Sequence, residues 1–597
     1  MIKITKVIFE KSKNLQIILL AILLFGAFIV RVCNIEKVPA SLYIDEVDYG
    51  LQAKSLIQTF RDYQGEWSPF GVHSFNDIRA PIPAYFTIVS TLISNTPEIQ
   101  VRLPSVLLGT LTVFIVFLLV RIWIKNFTAA LLTAAAFAFN PWQIQFSRFA
   151  HEGISMMAIF LVAIYCFYRA LVTKSYKLLL VFSVLLSLAV YTYRPMSLFA
   201  LLTFVVLFLL YRKELLTFGL KKLLIIIIVA AAIILPFLYA TTIGAPDVPR
   251  IAQLSIFSNP EVPIWVQRNR EVDSGDFSNP AIGKKPALIS FFFHSKPVSW
   301  LDSFANNYFQ TFSTEFLFIK GDKNLRHSIG QMGQLYFIDV IALIFGFIFV
   351  GKNLKRKEFQ WLLLWFFFAP IPASLTADGA QHAARLFIFS APLLLIVGLG
   401  WWQIFESIKK SHYDKLIMLI LVGVWALFFI FYFHRYFVHY PIESARYFGY
   451  GYKQAVLKIS QEESKYQRVA LAPTQDPPMI YYLFWANVSP KLIQEYGMNF
   501  SPEVVKNNPL DKYKVVEWPR DISLEPDVAR YLKPDTLYFV SQNEFQKDLR
   551  DKTQLPKGVK LVDLIAYPDN EIAFYLITRE QEYQPPVKEP KYDIKFL

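Results

Sequence analysis

The chain has 597 residues, of which 54% are hydrophobic, 55 are Phe and 18% are charged, and its mean hydropathy is +0.37. That composition excludes an ordinary soluble enzyme. The formal net charge of +14 is spread over short connections and collects in no soluble basic domain, so it argues against a nucleic-acid partner and reads as a topology signal.

Apolar runs close to the roughly 20 residues that cross a bilayer predict eleven spans, near 15–33, 102–123, 128–146, 153–172, 176–193, 197–212, 222–241, 334–350, 359–376, 385–405 and 414–433. Alternate connections are basic: Lys3 to Lys13, Arg121 with Lys125, Arg169 to Lys177, Arg212 to Lys222, Lys352 to Lys357, and Lys409 to Lys415. With a cytoplasmic N-terminus every one of these clusters is cytoplasmic, as the positive-inside rule requires. The extracytoplasmic face then receives 34–101, 147–152, 194–196, 242–333, 377–384 and everything after about 434. Beyond that point Pro and charge rise, and the runs 468–472, 536–540 and 571–577 read as strands. The expected fold is a polytopic α-helical membrane protein of about eleven transmembrane helices over 1–433, followed by a small extracytoplasmic α/β domain over 434–597. That domain is read as a cap without catalytic residues.

An acidic pair, Asp45-Glu46, follows the first span in Pro39-Ala-Ser-Leu-Tyr-Ile-Asp-Glu-Val-Asp-Tyr49. Acids beside a membrane are costly unless used, and this pair is read as catalytic. Its bland role would be to cap a helix over 47–60. Arginines on the extracytoplasmic side run against the topology signal and need a separate cause. Arg102, Arg148, Arg194, Arg326 and Arg385 stand at span ends or in loops, with His151, His327 and His382 beside several of them. A shared phosphate would gather such cations, because the guanidinium offers a planar fork of donors. Donor-phosphate binding is assigned to Arg102, Arg148, Arg326, His327, His382 and Arg385, and substrate binding to Asp77, Arg79, His151, Glu152, Arg194 and Asp378. Arg148 with Glu152 could also be a plain helical pair, and Arg31 is read as a snorkelling anchor. All these groups are expected to converge in one pocket bordering the outer leaflet.

The acidic pair, the segment Asn76-Asp-Ile-Arg-Ala-Pro-Ile-Pro-Ala-Tyr-Phe86, the Arg102-Leu-Pro-Ser105 start of the second span and the Ser147-Arg-Phe-Ala-His-Glu152 loop together resemble the GT-C glycosyltransferases. Within that superfamily they are similar to the protein O-mannosyltransferases and the lipid A aminoarabinose transferase. The resemblance covers roughly residues 15–433. It implies an enzyme that takes a sugar from a polyprenyl-phosphate donor and passes it, with inversion, to a hydroxyl of a lipid, glycan or protein. It also implies that Asp45 is the base and that Arg102 meets the donor phosphate. A divalent ion, magnesium or manganese, between Asp45, Glu152 and His382 is compatible with hard oxygen ligands, and the sequence commits to none. The rival reading is a lipid or solute transporter, which calls for charges at mid-membrane and paired repeats.

Overall fold

The computed structural model describes residues 2–67, 69–74, 77–243, 254–275, 277, 286–472, 474–496, 513–517, 527–545, 548–551, 553–584 and 595–596. Every predicted apolar segment contains a helix. The first ten helices are α1 (Ile2–Val32), α2 (Ile44–Thr59), α3 (Ile82–Thr91), α4 (Pro97–Ile124), α5 (Phe127–Phe139), α6 (Pro141–Phe146), α7 (Glu152–Thr173), α8 (Tyr176–Ala189), α9 (Met196–Leu216) and α10 (Leu220–Leu238). Later apolar helices are Asp339–Lys352, Lys357–Phe368, Phe387–Ile408 and Asp414–His434. Among the described residues, seven helices are long and apolar enough to cross a bilayer. The chain is a multi-pass membrane protein.

Several predicted spans are shorter or broken, for local reasons. The 128–146 run divides at Asn140-Pro141: the Asn140 side chain caps α6 by accepting from Gln143 N–H at 3.1 Å, while Pro141 opens the new helix. The 359–376 run stops at Phe368 because Pro370 and Pro372 cannot continue the hydrogen-bond ladder. Lipid-facing surfaces carry exposed apolar side chains, such as Ile17, Ile22 and Phe25 on α1 and Ile227 and Ile228 on α10.

The chain forms two compact units: residues 1–33, 76–83 and 105–434, and residues 34–75, 84–104 and 435–597. In the first, helices Asp339–Lys352 and Phe387–Ile408 approach backbone to backbone through small residues, the usual solution where lipid gives no hydrophobic drive between helices. A Cβ at Gly400 would collide with the Ala342 carbonyl oxygen, and one at Gly346 with that of Ile396. Gly400→Ala is expected to cost about 1–3 kcal/mol by overpacking, read as a lower melting temperature of the detergent-solubilised protein.

The second unit is built on a six-stranded mixed sheet in the order β6-β7-β5-β3-β4-β8, with β3 Arg468–Leu471, β4 Tyr513–Glu517, β5 Thr536–Ser541, β6 Val559–Ala566, β7 Ile572–Arg579 and β8 Lys595–Phe596. β3 runs parallel to β4 and β5, and β7 runs antiparallel between β5 and β6. Val540, Phe545, Tyr575 and Ile577 contribute to its core. The predicted strands are all present.

Residues 34–104, read from sequence as loop and span, largely join this unit. Lys453 Nζ pairs with Glu98 at 2.6 Å, and the Gln494 amide donates to Ser55 Oγ at 2.9 Å and Thr59 Oγ1 at 2.8 Å on α2. Buried Asp48 accepts from the Tyr63 hydroxyl at 2.7 Å and the Ser74 hydroxyl at 2.9 Å, which ties α2 to the loop behind it. His73 Nδ1 lies 2.8 Å from Asp62 Oδ2, and this hydrogen bond, against the opposing effect of burial, raises the imidazole pKa. A raised folded pKa means that the stabilisation is complete below the unfolded value near 6.5 and is lost as pH rises through the folded value. Melts of His73→Gln against the native protein should differ most below about pH 6.5, and the difference should shrink as the pH rises through the folded value.

Candidate active site

Two sets of candidate residues are built separately, one in each unit. In the second unit, Asp45 and Glu46 lie in the first turn of α2, where carboxylates are favoured by the unpaired N–H groups. Alternate helical directions separate their fates. Glu46 is fully buried, accepts from the Tyr43 N–H at 3.3 Å and binds the Arg102 guanidinium through both oxygens, at 2.9 and 3.0 Å. Asp45 is half-buried. Its charge reaches the buried Tyr481 hydroxyl, whose pKa is raised chiefly by burial, then by Asp476.

Arg102 corrects the sequence reading. Its remaining N–H groups donate to Ile35 O and Pro39 O, both at 2.9 Å, and to Ser41 O, so all five donors are used and the side chain is fully buried. No donor is left for a phosphate. Arg102 folds the 35–46 turn around itself, and Glu46 is its counter-ion and a helix cap, not a reacting group.

Arg148 is the second correction. It is fully buried in the first unit, and its Nη1 donates to Val30 O at 2.8 Å and Arg31 O at 2.9 Å, with Nη2 donating to Cys33 O at 2.7 Å. These are carbonyls at the end of α1, which lack intrahelical partners and attract cations. Arg31 performs the same task on α5, donating to Ala138 O at 2.8 Å and Phe137 O at 3.3 Å; it is buried and does not snorkel. Arg148 and Glu152 do not share a helix, since α6 ends at Phe146 and α7 begins at Glu152.

The first unit gathers the remaining polar groups from separate loops. His151 caps α7, its Nδ1 accepting from Gly153 N–H at 2.9 Å, and Glu152 lies 3.8 Å from its Nε2. The His151 and His327 rings are 6.2 Å apart, and His327 and His382 are 4.8 Å apart. Asp322, which the sequence reading passed over, fixes this cluster. Its Oδ1 accepts from Asn324 N–H at 2.8 Å, and its Oδ2 accepts from Ala383 N–H at 2.8 Å and meets His327 Nδ1 at 3.0 Å. Its only sequence signal was an Asx-type turn, Gly321-Asp322-Lys323-Asn324, just ahead of His327. Burial would raise its carboxyl, but the hydrogen bond and charge of His327, followed by His382, hold it below the usual range. Burial, then the charges of His327 and Arg385, lowers His382 to about 4.

Arg385 Nη1 donates to Thr376 Oγ1 at 2.6 Å and binds Asp378, whose carboxyl is held low by this guanidinium despite the opposing effect of burial. Among the described residues Arg385 Nε and Nη2 make no hydrogen bond, so a bidentate edge remains. Arg326 is half-buried, and its backbone carbonyl accepts from the Gln145 amide at 2.7 Å, tying its loop to α6. Arg194 Nη2 donates to Ile78 O at 2.5 Å in β2 (Asp77–Arg79), placing it beside the strand that carries half-buried Arg79. The Asp77 side chain lies outside the described residues. Asp322, His327 and His382 offer ligand atoms within 4.8 Å of one another. The sequence had instead paired His382 with Asp45 and Glu152 for a divalent ion; His382 and Glu152 belong to the first unit and Asp45 to the second.

Residues 78–239 match the family model for dolichyl-phosphate-mannose-protein mannosyltransferase. That segment contains most of the 76–86 motif and all of the 102–105 and 147–152 motifs, and the resemblance to GT-C glycosyltransferases read from them stands. No curated protein matches the chain. Among solved structures, the chain is similar to the oligosaccharyltransferase AglB from Archaeoglobus fulgidus, in complex with an inhibitory peptide and a dolichol-phosphate, at 15% identity and a TM-score of 0.48. The match covers 80% of this chain and 64% of that one, so this chain spans less than two thirds of that enzyme. ArnT from Cupriavidus metallidurans bound to undecaprenyl phosphate is similar at 11% identity and a TM-score of 0.48, over 96% of this chain and 100% of that one. The S. cerevisiae protein O-mannosyltransferase complex bound to the sugar donor is similar at 20% identity and a TM-score of 0.29, over 44% of this chain and 37% of that one.

Proposed function

We propose that the chain is a membrane glycosyltransferase that moves a sugar from a polyprenyl-phosphate-linked donor to a hydroxyl of a lipid, glycan or protein acceptor on the extracytoplasmic face. The observation that carries this reading is the match of residues 78–239 to a family named for a lipid-phosphate-sugar donor. The arginines support it by differing: Arg102 spends all five donors on protein oxygens, whereas among the described residues Arg385 bonds through Nη1 alone.

Asp45 is the base. Its carboxylate takes the acceptor proton as the hydroxyl oxygen attacks the anomeric carbon, while the bond from that carbon to the phosphate oxygen breaks on the opposite face. The bonding pair leaves with the polyprenyl phosphate, and a single displacement of this kind inverts the anomeric centre. Arg385, through its Nε and Nη2 edge, and Arg326 bind the phosphate as its charge grows, the electrostatic contribution that usually dominates such catalysis. His151, Glu152, Arg79, Arg194, Asp77 and Asp378 are assigned to the substrate around the reacting atoms. In this reading the N-terminus is cytoplasmic and the C-terminal α/β domain outside, which the alternation of basic connections supports.

The test is to offer purified protein a panel of polyprenyl-phosphate sugars with hydroxyl acceptors and measure released polyprenyl phosphate. Cleavage of at least one donor, dependent on Asp45, is expected. A transporter would leave every donor intact, and that result would end the proposal.

A further inference from the structure

Asp322 and His327 lie in one loop and His382 in another, 55 residues further along the chain. Two imidazoles and a carboxylate thus meet with their ligand atoms within 4.8 Å of one another. Asp322 and His327 are each only 8% exposed, so the arrangement belongs to the interior of the first unit and not to a solvated rim.

Its geometry is fixed from behind. Both carboxylate oxygens of Asp322 are held by backbone N–H groups, from Asn324 and Ala383, each at 2.8 Å. The Ala383 contact pins the His382 loop to the Asp322 loop. His327 Nδ1 faces Asp322 Oδ2 at 3.0 Å, so this nitrogen and that oxygen are the atoms the two residues offer to one ion. At His382, Nδ1 meets the Arg385 N–H at a long 3.4 Å.

We infer that Asp322, His327 and His382 form a divalent transition-metal site with an open coordination position. Two nitrogens and one oxygen favour zinc, or manganese as the harder competitor, over magnesium, which prefers an all-oxygen shell. Zinc bonds of about 2.0–2.2 Å in a tetrahedral arrangement put ligand atoms roughly 3.4 Å apart. The Asp322–His327 contact at 3.0 Å is already near that spacing, and rotation of the His382 ring closes the rest. Asp378 already neutralises Arg385, the cation that weighs on His382, so the charge next to the site does not forbid a second cation. This residue set differs from the Asp45, Glu152 and His382 combination that sequence alone suggested. That the open position would face the donor phosphate rests on the glycosyl-transfer reading; occupancy of the site does not.

The experiment uses tag-free, full-length protein in detergent, stripped with chelator and equilibrated separately with Zn2+, Mn2+ or Mg2+. Ion content after removal of free metal is measured, together with the melting temperature against metal concentration. We expect close to one zinc per chain and a zinc-dependent rise in melting temperature. Asp322→Asn should weaken zinc binding by roughly 10- to 100-fold and His382→Gln by about the same or more. Cobalt in place of zinc gives a second readout on the native chain, a visible absorption band that zinc displaces. Zinc content far below one per chain with no cobalt band overturns the site. So does binding that survives unchanged in a monodisperse His382→Gln protein, because the ion then lies elsewhere. Ion content is read without substrate, so its outcome is independent of whether any sugar donor is cleaved.

Discussion

Asp45→Asn should reduce release of polyprenyl phosphate from a cleavable donor by about 10²- to 10⁴-fold, the usual weight of a general base. The fold should survive. Asparagine has the same shape, Asp45 is only half-buried, and loss of one carboxylate from the first turn of α2 removes about 0.3–1 kcal/mol of interaction with the helix end. A melting temperature near that of the native protein, combined with lost turnover, would separate chemistry from stability. The pH profile supplies an independent check: activity of the native enzyme should fall on its acid limb as the carboxylate protonates, and residual Asp45→Asn activity should lack that limb. Undiminished release by the variant would remove Asp45 from the mechanism. Its neighbour Glu46 is a useful contrast, an acid on the same turn whose two oxygens are held by the Arg102 guanidinium.

The features set by composition and period were legible in the chain. Apolar runs such as 153–172 and 197–212 became α7 and α9 almost unchanged, because a helix in lipid must satisfy its own backbone and needs little outside help. The strand at 536–541 was visible for a similar reason, with five of its six residues buried. What sequence could not reveal was where the buried carbonyls lie. Arg102 and Arg148 looked like ligand-seeking cations, and Arg31 like a snorkelling anchor, because most of their partners are backbone oxygens, which every residue carries and no motif marks. Arg385 differs in having a side-chain partner, Asp378, only 7 residues away, and a local hydrogen bond that leaves part of its fork unused. Asp322 was missed on the same ground: its role comes from Ala383, 61 residues distant.

The largest structural effect should come from Arg102. It is fully buried with Glu46, and removing one partner of such a pair leaves an uncompensated charge, at about 3–5 kcal/mol. Against a domain stability of about 5–15 kcal/mol, Arg102→Ala should sharply lower the yield of monodisperse protein and its melting temperature. Arg102→Lys should rescue little, because an ammonium offers three donors on a point charge where a planar fork now satisfies Ile35, Pro39, Ser41 and both oxygens of Glu46. Glu46→Gln keeps the shape and can still accept hydrogen bonds, but it strands the guanidinium without a counter-ion. It should therefore destabilise nearly as much, and the double variant Arg102→Met, Glu46→Gln less than the sum of the two single changes. The opposite pattern would be decisive: an Arg102→Ala protein that melts like the native chain but binds polyprenyl phosphate many-fold more weakly would return this arginine to the donor site. With every donor already engaged inside the 35–46 turn, the expected loss is of the fold around Asp45, and activity falls only as a consequence.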